Sequence, residues 1–221
     1  MKKVAVILAG SGYLDGSEIR EAVGVLWALS SQPVHVQCFA PDVNQRDVVD
    51  HLMGQPAEES RNVLVESARI ARGKVLPLSE LDSSEFDALI MPGGFGAAKN
   101  LCTFALEGSN GSVLPELAKI LHSMYDAGKP IGAACIAPAI LALNWKTTLL
   151  ELTVGAVSDA SQEIEKLGHK HFATKANEVH VDREHKIVTT PAYMYDDAPL
   201  HEVFEGIRKM VGDVVRMAGG E

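Results

Sequence analysis

The sequence predicts an α/β fold: a mostly parallel sheet with helices on both faces. Three observations point to it: short apolar, β-branched runs, helical stretches between them, and glycine or proline at the ends of both. Val4 to Leu8 (VAVIL) reads as a first strand buried on both faces and ending in the turn residues Gly10 and Gly12. Asp15 or Ser17 caps a helix running to about Leu29, with Ile19, Val23 and Leu26 along one face and Glu18 in its first turn. Val34 to Ala40 is the next strand, stopped by Pro41, and Arg61 to Arg72 is a helix closed by Gly73. Asp87 to Met91 runs as a third strand into Pro92-Gly93-Gly94, and Pro115 to Ala127 is a helix stopped by Gly128. Ile131 to Ala134 is a strand with Cys135 at its end, followed by a helical stretch from Pro138 to Leu143. Further on come a strand over Glu151 to Gly155, a helix over Ser161 to Leu167 ended by Gly168, and a hairpin of Val179 to Asp182 with Lys186 to Thr190. Pro199 to Met217 closes the chain as a helix, with Val203, Ile207, Met210 and Val214 on one face.

The composition bounds the rest. A chain of 221 residues with 47% hydrophobic and 22% charged residues supports a folded core, and no linker divides it, so residues 1–221 read as one domain. The net charge of −9 repels phosphate backbones, and the 20 basic residues form no stripe, which argues against nucleic acid. The apolar run at the start breaks at Gly10 and Asp15, too early for a secretory signal or a membrane span. No membrane association is expected. The cytoplasm is the default compartment, and mitochondria fit if a transit segment has been removed. Cys38, Cys102 and Cys135 lack the close spacing of a metal knuckle and read as free thiols.

Parallel sheets of this kind place their sites beyond the carboxyl ends of the strands, here Gly10 to Glu18, Pro92 to Gly96, and Cys135. Around Cys135 the chain reads GAACIAP. A strand that turns at once into a helix crowds the positions two before and two after the turn residue, and both are alanines, Ala133 and Ala137. That is the pattern of a nucleophile elbow. A thiol held over a helix N-terminus is expected to be acidified into the range of about 3.5–7.5; the competing reading is a cysteine packed as a small hydrophobe. The amides of Gly94 and Ile136 pair as a two-donor oxyanion hole, each donor worth ~3 kcal/mol to a reaction that builds charge on oxygen. His169, His171, His180 and His185 cluster in sequence, but their spacing on loop and hairpin makes no good closed metal set. His180 is retained as an auxiliary acid/base group. Cys38 alternates on its strand as a core residue, Cys102 carries no assigned role, and Glu59-Ser60-Arg61-Asn62 caps its helix or lines the pocket.

The segments ILAGSGYLDGSE, IMPGGFGAAKNL, GKPIGAACIAPAIL and KIVTTPAYM resemble those of the ThiJ/PfpI, or class I glutamine amidotransferase-like, superfamily, and within it the ElbB-type branch linked to isoprenoid biosynthesis. The resemblance implies a flavodoxin-like three-layer sandwich, a homodimer and no cofactor. It also implies that Cys135 is the nucleophile, Glu18 its partner carboxylate, and Gly94 with Ile136 the oxyanion donors. Ser11 stands where this branch commonly has a cysteine. The late stretch Thr189-Thr190-Pro191-Ala192-Tyr193 lacks the His-x-Glu of true glutaminases, which argues against glutamine hydrolysis. Two functions follow. One is a glutathione-independent glyoxalase-type lyase, acting on a small 2-oxoaldehyde such as glyoxal or methylglyoxal, with deglycation as related chemistry. The other is a redox-sensing or partner-binding protein with little turnover.

Overall fold

A computed structural model describes residues 1–220. In chain order the elements are β1 (Lys2–Ile7), α1 (Ile19–Ser30), β2 (Val34–Ala40), β3 (Val49–Asp50), β4 (Gln55–Pro56), α2 (Val63–Ile70), β5 (Val75–Pro77), β6 (Ala88–Met91), α3 (Phe95–Lys99) and α4 (Phe104–Glu107). Then follow α5 (Pro115–Asp126), β7 (Ile131–Ala134), α6 (Pro138–Asn144), β8 (Glu151–Leu152), α7 (Asp159–Lys166), β9 (Lys170–His171), β10 (His180–Asp182), β11 (Ile187–Thr190) and α8 (Leu200–Gly219).

Seven strands form one sheet in the order β10-β11-β7-β6-β1-β2-β5, parallel except where β10 turns back along β11. Because side chains alternate across a strand, β1 sends Ala5 and Ile7 to one face and Val4 and Val6 to the other. The first face packs under Leu117, Leu121 and Met124 of α5 and Ile140 of α6. The second packs under Val25 and Leu29 of α1 and Ile207, Met210 and Val214 of α8. This is the three-layer sandwich that the sequence implies. The central strands order β7-β6-β1 brings the loops after β1, β6 and β7 to the same edge of the sheet.

Several expectations are corrected. The buried face of α1 is Glu21, Ala22, Gly24, Val25, Ala28 and Leu29, whereas Ile19 and Val23, assigned inward from the sequence, are 45% and 44% exposed. The helix starts later than Asp15 or Ser17 because both side chains are engaged elsewhere: Asp15 Oδ2 accepts from the Val49 amide, and Ser17 Oγ from the Ala9 amide. Of the strand expected over Glu151 to Gly155 only Glu151–Leu152 forms, paired with β9 outside the main sheet. Asn62 caps α2 through the Val65 amide, deciding between the two roles left open for its segment. No helix among the described residues is long and apolar enough to cross a membrane.

Candidate active site

Cys135 is built as the sequence suggests. Its backbone adopts φ +58°, a left-handed conformation uncommon for a side chain with a Cβ, and its amide donates to Thr190 O at 2.9 Å, tying the elbow to the end of β11. Ala133 and Ala137 are fully buried on either side. From the neighbouring strand end, Gly93 closes over the sulfur: a Cβ there would lie 2.4 Å from Cys135 Cβ and 2.9 Å from Sγ. Only glycine permits that approach. The backbone N–H groups of Gly94 and Ile136 lie beside the sulfur and favour its anion.

The carboxylate beside the sulfur is Glu21, not Glu18. Glu21 is fully buried and stands beside Cys135, a Cβ on Gly93 meeting its Oε2 and the Cys135 Sγ at 2.9 Å each; its Oε2 accepts from the Gly93 amide at 2.9 Å and its Oε1 from the Tyr193 amide at 3.1 Å. Glu18 caps α1 instead: its Oε2 accepts from the Glu21 amide at 2.6 Å, and its side chain is half-buried. The two carboxylates stand one helical turn apart, the outer one spent on the helix end and the inner one directed at the thiol. A charged residue spaced with Val25 and Ala28 is the sequence signal for Glu21, which the resemblance, pointing to Glu18, does not use.

Burial, with the Glu18 charge nearby, pushes Glu21 up to about 8 against the two amides that favour its anion. Near neutral pH Glu21 is therefore mostly a carboxylic acid. Burial and the Glu21 carboxylate also push the Cys135 thiol well up, opposed by the Gly94 and Ile136 amides. This reverses the expected acidification. Cys135 is only 7% exposed, and the seven-residue α6 behind it is buried through most of its length, so desolvation outweighs the helix terminus. The resting centre is a thiol beside a protonated acid.

His180 lies elsewhere. It sits on β10, two strands out from β7, with Nε2 3.2 Å from Glu151 Oε2 and its ring stacked on Phe172 at 4.1 Å, which leaves the auxiliary role without a geometric basis. His169 is packed between Ala142 O and the Leu150 amide, and His185 meets Asp182. Cys38 is buried on β2, and Cys102 is buried with its sulfur on Ala97 O. Cys135 and Glu21 bring two metal-ligating side chains together; no group of three His, Cys, Asp or Glu suited to a metal occurs among the described residues. One residue not anticipated, Asn100, fastens the loop after β1 by donating to Ala9 O and Asp15 O while accepting from the Arg46 amide.

No family model matches the chain. It is, however, 47% identical over 227 residues to the human glutamine amidotransferase-like class 1 domain-containing protein 3, mitochondrial, an alignment covering 98% of this chain and 84% of that one. The chain belongs to the class I glutamine amidotransferase-like family. Within it the ES1 protein, mitochondrial, of Danio rerio is 35% identical over 97% of this chain and 85% of its own. The crystal structure of an isoprenoid biosynthesis protein with amidotransferase-like domain from Ehrlichia chaffeensis matches with a TM-score of 0.91 and 40% identity, covering 98% of this chain and 99% of that one. A more distant solved structure, glyoxalase III of Candida albicans, shares the fold at a TM-score of 0.61 and 16% identity, over 97% and 96% of the two chains.

Proposed function

We propose that this protein is a cofactor-free glyoxalase-type lyase that converts a small 2-oxoaldehyde, glyoxal or methylglyoxal, to a 2-hydroxy acid. The observation that carries the reading is Glu21, a buried acid poised near neutrality against the Cys135 thiol. A group that titrates close to the working pH both takes and returns protons efficiently. In its carboxylate form Glu21 accepts the S–H proton as sulfur adds to the aldehyde carbon. The C=O π pair moves onto oxygen, which the Gly94 and Ile136 amides stabilise, and Glu21 returns the proton there to give a hemithioacetal. Glu21 next removes the hydrogen on that carbon, the electron pair shifts through an enediol, and the proton is delivered to the neighbouring carbon. The resulting thioester is cleaved by water, which releases the hydroxy acid and restores the thiol. Overall, one aldehyde and one water give one hydroxy acid, with no external oxidant.

The glyoxalase name of the Candida neighbour favours the substrate class, and the fold is common to both. The rival redox reading needs a resting thiolate, whereas burial pushes this thiol the other way; the catalytic reading needs a thiolate only transiently, made by Glu21. Of the two compartments the sequence left open, the mitochondrial one has support in the names of the human, rat and zebrafish relatives. The test is hydroxy-acid formation from glyoxal. Cys135→Ala should abolish it, Glu21→Gln should lower kcat by about 10²–10⁴-fold, and Glu18→Gln should change it far less. Equal rates in wild type, Cys135→Ala and Glu21→Gln would end the proposal.

A further inference from the structure

We propose that Arg20 and Tyr193 form a latch that holds the backbone N–H of Tyr193 on Glu21, making Tyr193 a positioning residue for the acid–base group of Cys135. The inference rests on the role assigned to Glu21 above and adds what sets it. Tyr193 lies in a single 3-10 turn, Ala192–Met194, directly beyond β11, whose last residue Thr190 also accepts the Cys135 amide. In that turn the fully buried Ala192 adopts φ +46°, a strained conformation for alanine that surrounding contacts must maintain. The Tyr193 N–H reaches Glu21 Oε1 at 3.1 Å, while its phenol oxygen takes a hydrogen bond from Arg20 Nη1 at 3.0 Å, with the guanidinium carbon 5.7 Å from the ring centroid. Two consecutive residues of α1 thus grip one residue of the turn, Glu21 by its backbone and Arg20 by its side chain.

The arrangement also accounts for the stretch from Thr189 to Tyr193 that carries no histidine: here it supplies an amide to the acid. Among the described residues that amide is one of two backbone donors on the Glu21 carboxyl, the other being Gly93. The groups facing Glu21 are Glu18 on its own helix and Cys135 on the elbow, with Arg20 one ring away behind Tyr193. An N–H aimed at a carboxylate favours the anion. Loosening the turn weakens that preference, so Glu21 should hold its proton to higher pH.

The experiment is a pH titration of the Glu21 side-chain carboxyl by ¹³C NMR in protein labelled at glutamate, the resonance being identified by its loss in Glu21→Gln. Arg20→Met and Tyr193→Phe each remove the latch without removing the Tyr193 amide itself, which is then held less firmly on Glu21. Both should raise the Glu21 midpoint by several tenths of a pH unit, with an upper bound of about 0.7 for so exposed a contact. The double variant should move no further than either single one, because they share one bond. The rising, acid-side limb of kcat/KM for hydroxy-acid formation, which reports the Glu21 carboxylate of the free enzyme, should shift upward equally. If Tyr193→Phe does not fold, the surface variant Arg20→Met carries the test alone. An unmoved or lowered midpoint overturns the latch, as does a loss of rate at constant midpoint, which a merely structural role would give. Wild type that turns over no aldehyde while the midpoint still shifts would sink the functional reading and leave the latch standing.

Discussion

Replacing Glu21 by glutamine should make the stability difference from wild type depend on pH, and even change sign. In the unfolded chain this glutamate titrates near 4.5; in the folded chain it titrates near 8, because burial disfavours its charge. The folded state therefore keeps a proton that the unfolded state has released. Stabilisation from that proton is fully present below pH 4.5 and is lost as pH rises towards 8, at ~1.36 kcal/mol per unit. Relative to low pH, wild type should have lost roughly 3 kcal/mol by pH 7 and roughly 5 kcal/mol above pH 8. Glutamine escapes that loss, but its NH₂ confronts one of the two amides of Gly93 and Tyr193, leaving a buried donor unpaired at ~1–3 kcal/mol at every pH. Wild type should then be the more stable protein at pH 5 and Glu21→Gln the more stable at pH 8.5. Urea unfolding at half-unit steps from pH 5 to 8.5 reads the difference directly, provided both proteins share one m value. A difference that stays constant across this range would refute the assignment of a neutral Glu21, and with it the reasoning that makes this residue an acid at neutral pH.

Gly94→Ala should fold poorly or not at all, because Gly94 sits at φ +94° and the added Cβ would fall 2.3 Å from the Glu18 amide nitrogen and 2.5 Å from Gly16 O. The conformation alone costs ~1–3 kcal/mol and the backbone clash more, so a soluble variant with a melting temperature within a few degrees of wild type would contradict this packing of the two loops. His180→Gln should leave hydroxy-acid formation within about twofold, since the ring is engaged by Glu151 and Phe172, and should cost ~0.5–1.5 kcal/mol for the lost stack. A kcat loss of tenfold or more, with KM unchanged, would return His180 to the site.

The elements legible in the sequence are those whose burial is decided locally. VAVIL, ALIM and IGAA are short runs without charge, which only a strand covered on both faces accommodates, and all three lie at the centre of the sheet. The last helix was read correctly because Val203, Ile207, Met210 and Val214 form one stripe and all four are buried. By contrast β3, β4, β8 and β9 have two residues each, and β5 three at the sheet's edge; such segments exist only because a partner strand lies alongside. Nothing in Gln55–Pro56 or Lys170–His171 alone specifies that partner.

The site divides along the same line. The elbow at Cys135 was legible because its constraint is steric and acts within two residues, at Ala133 and Ala137. Glu18 comes from the resemblance of the DGSE segment; which carboxylate reaches the thiol is set by the face of α1 that meets the sheet, and there the apolar pattern misleads. Ile19, Val23 and Trp27 make an apolar stripe at the spacing of a core face, yet Trp27 is 52% exposed like the other two. Glu21, Val25 and Ala28 have the same period and are the residues that turn inward. The carboxylate that meets the thiol lies one turn later than the residue the sequence offered. The residue first assigned the chemistry keeps a part in it: Glu18 caps the helix at the Glu21 amide, and its charge, one turn away, adds to the desolvation that raises Glu21. The pair therefore works as outer charge and inner acid, so neutralising Glu18 should lower the Glu21 midpoint while leaving the thiol's partner in place.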